Sequence, residues 1–265
     1  MPTIKLIASD IDGTLLQGGA TRLNTAIFPM IRALRERGVL FFAASGRQAT
    51  NLARLFAPVR EDIGYLCENG CLSLWQGEMI HQDIMPRALG QEIARAFWET
   101  PGAEVLITGQ EVSYVCPKSA GYLAHMKDVV GNDCVIVPDI LNTPEPYMKI
   151  SIFERDGVRN AAHWQARFGD LCTVVTSGNE WLDTMPLGVN KGSGMRHILE
   201  RLGIAQEECL AIGDNDNDRE LLELVGLPAA VESAKPQIRA IARVITPTVE
   251  ALLSRILAGE DLTCG

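Results

Sequence analysis

The sequence predicts an α/β protein: a Rossmann-like, doubly wound parallel sheet interrupted by an inserted α+β module. Three observations carry this expectation. Near the amino end, short apolar runs that break off in acidic or glycine residues alternate with stretches of helical periodicity, as β-α-β units do. Between about Gln82 and Met185 the rhythm gives way to short strand candidates mixed with helices, and prolines at 138, 144 and 146 break the stretch internally. After Pro186 the α/β rhythm resumes. The simplest layout gives residues 1–82 and 187–265 to a core domain and 83–186 to the insertion.

Element by element, Lys5-Leu6-Ile7-Ala8-Ser9 is an apolar run ending in acids and glycine, as a buried strand of a parallel sheet would. Asn24 can cap a helix in which Ile27, Met30, Ile31 and Leu34 recur at helical spacing and which Gly38 ends. A second apolar strand over 39–44 leads into Ser45-Gly46-Arg47 and a helix over 48–56. Strands follow at 65–67 and 73–75, the latter turned back through Met79-Ile80 by Gln76-Gly77. In the middle, helices are expected over 87–99, 119–130 and 158–168. Strands are expected near 105–108, 112–116, 134–137, 148–153, 171–176 and 180–184, forming an antiparallel sheet. The last part reads as a helix over 191–202, a strand at 209–212, a helix over 216–225, a strand near 227–230, a helix over 235–242, a strand at 244–245 and a helix over 249–257.

The 265 residues suffice for one large domain or for one domain carrying another. With 47% apolar and 22% charged residues, the composition is that of a soluble globular chain. No apolar run approaches the ~20 residues needed to cross a bilayer. The start lacks the layout of a secretion signal, and the expected location is the cytoplasm. A formal net charge of −9 argues against general nucleic-acid binding, which needs a basic face. A small anionic substrate remains compatible, because a metal ion and a few cations reverse the potential locally. The seven cysteines (67, 71, 116, 134, 172, 209 and 264) are scattered without a Cys-x-x-Cys pair, as buried thiols in a reducing compartment would be. The four histidines (81, 125, 163 and 197) are isolated from one another, which argues against a histidine metal site.

Chemistry is concentrated in four places. Asp10-Ile11-Asp12-Gly13-Thr14 directly follows the first strand, where open α/β sheets bind ligands. If strand geometry persists, Asp10 and Asp12 point the same way. Their repulsion must then be offset by a cation or a proton, and hard oxygen ligands beside a phosphate suit magnesium. Ser45-Gly46 offers a hydroxyl and backbone amides for phosphate oxygens. Lys191 opens a helix, where it opposes the dipole. Gly213-Asp214-Asn215-Asp216-Asn217-Asp218 places three acids in five residues after a strand. Read singly, these are a polar loop, a helix cap, a solvated lysine and another capped loop. Their order is what distinguishes them.

That ordered set resembles the haloacid dehalogenase-like (HAD) superfamily of phosphohydrolases. The long insertion between the Ser45 and Lys191 elements is similar to the Cof-type branch, whose α/β cap is placed there. Glu68-Asn69-Gly70 and the run from Met185 to Gly192 also resemble that branch. The resemblance covers essentially the whole chain. It implies a magnesium-dependent phosphatase for sugar phosphates or similar small metabolites, in which Asp10 is the nucleophile that becomes an aspartyl-phosphate. Asp12 would be the general acid and then the base. Magnesium would be held by the Asp10 carboxylate, the Asp12 carbonyl and Asp214. Ser45 and Gly46 would bind the phosphoryl group, and Lys191 would neutralise its charge. Asn217 would reach the phosphate, Asp218 would support the metal shell or Lys191, and Arg47 would face the cap and the substrate. An acid at position 12 sets the chain apart from dehalogenases and P-type ATPases. Phosphomutase or phosphotransferase activity, or a non-catalytic phosphate-responsive module, are the alternatives. Trp98, Tyr114, Tyr122, His125 and Trp181 are candidate cap contacts for the substrate. A monomer and a homodimer fit the sequence equally.

Overall fold

The computed structural model describes residues 3–177 and 179–262; Cys264 lies outside them. The chain divides into two compact units, one from Met1–His81 with Asn190–Gly265, the other Gln82–Val189.

The first unit is built on strands β1 (Leu6–Ser9), β2 (Leu40–Ala44), β3 (Gly64–Cys67), β4 (Leu72–Trp75) and β5 (Glu78–Gln82). The other unit contributes β6 (Glu104–Thr108), β7 (Ser113–Val115), β8 (Cys134–Ile136), β9 (Lys149–Phe153), β10 (Cys172–Ser177) and β11 (Trp181–Pro186). The chain then returns to the first unit for β12 (Cys209–Gly213), β13 (Leu227–Val231) and β14 (Val244–Thr246). The first sheet runs in the order β14-β13-β12-β1-β2-β3-β4-β5. It is parallel from β14 to β3, and β4 turns back antiparallel on β3. All four residues of β1 are buried, which explains why that strand reads as an unbroken apolar run. Its neighbours on either side, β2 and β12, leave it in opposite directions along the sheet. The carboxyl end of β1 is therefore a topological switch point, the place where such sheets open a crevice.

Helices follow the periodicity. In α1 (Ile27–Glu36), Ile27, Ile31 and Leu34 are buried; each contributes about 1.5–3 kcal/mol by leaving water. Asn24 accepts a hydrogen bond from Ala26 N at 3.1 Å, so it opens the turn before the helix instead of capping it directly. Gly38, at φ +78°, ends the turn after it. The remaining helices are α2 (Ala49–Leu55), α3 (Arg87–Trp98), α4 (Ala120–His125), α5 (Ala161–Phe168), α6 (Lys191–Leu202), α7 (Arg219–Leu224), α8 (Pro236–Arg239) and α9 (Val249–Ala258). Helix α1 packs on α9, and α6 packs on α7 and against β3 and β4. No helix among the described residues is long and apolar enough to cross a membrane.

The second unit carries a six-stranded sheet in the order β10-β11-β9-β6-β7-β8. Its core gathers Ile93, Phe97, Ile107, Ile150, Trp164 and Phe168. The expected antiparallel sheet is corrected at one edge: β8 pairs parallel with β7, because the helical segment between them carries the chain back to the same end. That segment also departs from a single helix over 119–130. After α4 it widens into a π turn over Met126–Val130, with Gly131 N bonding back to Met126 O. The candidate ring contacts have structural partners. Tyr122, His125 and Trp181 pack with tilted rings against Phe153, Trp98 lies under Lys118, and the Tyr114 hydroxyl donates to Glu145. Burial and Glu145 push Tyr114 up to about 12.

The expected helix over 216–225 starts as a 3-10 turn, Asp216–Asp218, before α7. Asp218 causes this, since its carboxylate accepts from the N–H groups of Asp214 and Asn215 and draws the first turn tight. The helix expected over 235–242 is regular only through α8. Cys67, Cys71, Cys172 and Cys209 are buried, Cys116 and Cys134 are half-buried, and none of these six is in a disulfide.

Candidate active site

All four chemistry-bearing segments belong to the first unit, and three converge beyond the carboxyl end of β1. Asp10 follows β1 and is buried, with its N–H bonded to Ile212 O of β12 at 2.9 Å. The neighbouring β12 delivers Asp214. Helix α6 delivers Lys191 as its first residue, set by a capping box: Asn190 Oδ1 accepts from Ser193 N, and Ser193 Oγ accepts from Asn190 N, both at 2.9 Å. Gly194 lets this helix end approach closely, since a Cβ there would lie 2.8 Å from Gly70 Cα.

Lys191 is 0% exposed and donates to Asp10 Oδ1 at 2.5 Å and to Asp218 Oδ1 at 2.6 Å. Burial by itself would lower its pKa; the charges of Asp10 and Asp218 outweigh that and raise it. The unfavourable position of a lysine at a helix start is thus offset by two carboxylates. Asp10 behaves in the opposite way. Burial and the adjacent Asp218 push it well above the usual carboxylate range, and Lys191 only partly opposes them. Asp214 is raised too, by burial and by Asp218, against the Thr14 hydroxyl that donates to its Oδ1 at 2.8 Å.

Ligating oxygens of Asp10, Asp214 and Asp218 lie within 4.8 Å of one another. One lysine balances one of these three charges. Asp10 Oδ2 is buried and meets no donor among the described residues. An orphaned carboxylate oxygen, an all-oxygen donor set and surplus negative charge fit a hard divalent cation such as magnesium. Gly13 leaves room for the cluster: at φ +98°, a Cβ there would overlap the Asp214 carboxylate. Gly13→Ala is therefore expected to cost about 1–2 kcal/mol from backbone strain alone and also to displace Asp214. Urea denaturation with and without magnesium should show both the loss and a smaller magnesium increment.

The remaining expected residues are placed differently. Asp12 lies beyond the regular strand, which ends at Ser9. Its carboxylate, 55% exposed, is held by Arg47 through Nε at 2.8 Å and Nη2 at 2.6 Å. Arg47 also donates to Asn51 Oδ1 at 3.0 Å, so it faces Asp12 and its own helix. Ser45 directly follows β2 and is buried, and its hydroxyl accepts from Arg47 N at 3.2 Å. Asn217 Nδ2 donates to Asn69 Oδ1 at 3.2 Å. A Cβ on Gly46 would lie 3.1 Å from the same Asn69 side chain.

Two residues gain a role that the motif reading did not give them. Thr14 steadies Asp214, and its only sequence signal is a hydroxyl beside Gly13. Asn69 sits between Gly46 and Asn217 in a turn with three consecutive positive φ values, Glu68 at 51°, Asn69 at 55° and Gly70 at 109°. The Asn-Gly pair is the signal for that turn.

The sequence model of a family described as haloacid dehalogenase-like hydrolase matches residues 7–251. Among curated proteins, the chain is 25% identical over 245 residues to the 5-amino-6-(5-phospho-D-ribitylamino)uracil phosphatase YbjI of Escherichia coli, covering 91% of this chain and 90% of that protein. It is 27% identical over 238 residues to the HMP-PP phosphatase of Citrobacter koseri, covering 88% and 86%. Among solved structures, TM0651 from Thermotoga maritima shares the fold with a TM-score of 0.82 at 20% identity, covering 96% of this chain and 97% of that one.

Proposed function

The chain belongs to the haloacid dehalogenase-like hydrolases, as a phosphatase of their Cof-type branch, and from that premise we propose that it dephosphorylates a small phosphorylated metabolite, dependent on magnesium and through an aspartyl-phosphate on Asp10. The observation that carries this reading is the buried lysine shared by Asp10 and Asp218, beside an Asp10 oxygen that meets no donor among the described residues.

In this reading the Asp10 carboxylate attacks phosphorus, and the bond to the leaving oxygen breaks as Asp12 gives that oxygen a proton. Water then attacks the phosphorus of the aspartyl-phosphate, Asp12 takes its proton, and inorganic phosphate leaves with Asp10 regenerated. Lys191 keeps the charge that accumulates around Asp10 neutralised, and Asp218 holds Lys191 in place. Ser45, the Gly46 amide and Asn217 bind the phosphoryl oxygens, with Asn69 orienting Asn217. Phosphoryl transfer is mainly a matter of positioning and charge neutralisation, and these groups supply both. Magnesium held by Asp10, the Asp12 carbonyl and Asp214 would add neutralising charge and polarise a phosphoryl oxygen. Asp12 must exchange Arg47 for the leaving oxygen before it can act as an acid. The second unit, Gln82–Val189, takes the part of the substrate-selecting cap. The name of the Escherichia coli relative specifies a phosphorylated ribitylamino-uracil; we assign the broader class of phosphorylated small metabolites.

The test is phosphate release from a panel of phosphorylated sugars, nucleotides and cofactors, with and without magnesium. Magnesium-dependent release from at least one compound is expected. Isomerisation of the substrate, or transfer to a sugar acceptor, outrunning release to water would instead identify a mutase or transferase.

A further inference from the structure

We propose, resting on the magnesium-dependent reaction assigned above, that Asp216 is a positioning residue: clamped by Lys235 and Gln237, it fixes the loop that presents Asp214 and Asn217. Asp216 is the one acid of that loop to which the reaction gives no part. It is exposed. Its Oδ2 accepts from Lys235 Nζ at 2.7 Å, and its Oδ1 accepts from Gln237 Nε2 at 2.9 Å. A third bond comes from the same short segment, since Lys235 N donates to the Asp214 carbonyl at 2.9 Å.

Bonds within the loop give it its shape. Asp218 accepts from the amides of Asp214 and Asn215, and Asn215 Oδ1 accepts from Asp216 N. Its place in the fold is set by contacts outside it. On the buried side these are Thr14, Asn69 and Lys191; on the exposed side, residues 235–237 hold it. That segment is a firm support. It follows β13, which pairs with β12, Ala234 and Ile238 are buried on either side of it, and Pro236 fixes the backbone as α8 begins. An exposed ion pair adds little to stability, so the value of the clamp lies in placement. Magnesium demands near-ideal octahedral geometry, and losing an outer contact that orients a ligand typically weakens metal binding by about 10–100-fold. Charge acts with the opposite sign. Lys235 is a cation close to an acidic cluster, and by Coulomb attraction alone its removal would tighten magnesium binding.

The experiment follows the thermal midpoint of the full chain across a magnesium titration without phosphate, for wild type, Lys235→Met, Lys235→Arg and Gln237→Leu. The midpoint without magnesium reads stability, and the concentration at which it rises reads affinity. Lys235→Met is expected to bind magnesium about tenfold more weakly. Gln237→Leu, which changes no charge, should also bind more weakly, and Lys235→Arg, which keeps a donor for Asp216, should bind nearly as wild type does. Tighter binding by Lys235→Met overturns the proposal, as does a lowered magnesium-free midpoint with unchanged affinity, the mark of a merely structural brace. Should Lys235→Met fail to fold, unchanged affinity in Gln237→Leu overturns it. A wild type that takes up no magnesium overturns the magnesium-dependent reaction as well; wild-type uptake matched by both variants overturns the clamp alone.

Discussion

Lys191→Met is expected to destabilise the fold by about 3–5 kcal/mol, the range for removing one partner of a buried ion pair, and to slow phosphate release by about a hundred- to a thousandfold. The size of both effects follows from burial. Among the described residues, Lys191 is the one cation that touches both Asp10 and Asp218, at 2.5 and 2.6 Å, and both carboxylates are buried. Without the ammonium, Asp10 and Asp218 repel each other in a medium that screens poorly. Guanidinium denaturation and initial rates measure the two losses separately. Adding Asp218→Asn to Lys191→Met removes one of the stranded charges, so the double variant should recover stability while remaining slow. Recovery of both together would mean that Lys191 acts only as a structural brace.

Asp10→Asn is expected to abolish turnover, by about 10⁴-fold or more as nucleophile deletions do, without weakening the metal-free fold. The direction of its pKa shift explains the second half. Asp10 sits well above the usual carboxylate range because of burial and Asp218. The folded state therefore holds this proton more tightly than the unfolded chain does, and the associated stability is full below the unfolded value of about 3.9. It is lost as pH rises through the folded pKa. In the absence of magnesium, the thermal midpoint of the wild type should fall relative to that of Asp10→Asn as pH is raised above the ordinary carboxylate range. Magnesium should narrow the difference by stabilising the wild type more than the variant. A difference between the two that does not change with pH would contradict the assignment of the excess negative charge to Asp10.

Much of the fold was legible because its causes are local. The apolar run before Asp10 needs both faces buried and so reads as a parallel strand. Asn190, Ser193 and Gly203 bound α6 through capping and a left-handed C-terminal residue, and the expected span of 191–202 matches it. Gln76-Gly77 turns β4 into β5 for the same kind of reason. Where local pattern met a tertiary partner, the pattern gave way. The helix expected from 216 begins as a 3-10 turn because the Asp218 carboxylate binds two backbone amides. The β8 strand pairs parallel with β7, a choice that alternation within a strand does not record.

The candidate site shows the same division. By itself, the sequence determined the fold class and the residue types of the chemistry: acids after two strands, a lysine opening a helix, a hydroxyl after β2. Periodicity, caps and motif order act over a few residues and need no knowledge of the rest of the chain. Tertiary structure alone decided which partner each of those groups has. Lys191 lies between Asp10 and Asp218, Thr14 is on Asp214, Asn69 is on Asn217, Arg47 is on Asp12, and His81 is on His197. These pairings join residues far apart in the chain, and side-chain partners at that range are fixed by strand order and helix packing.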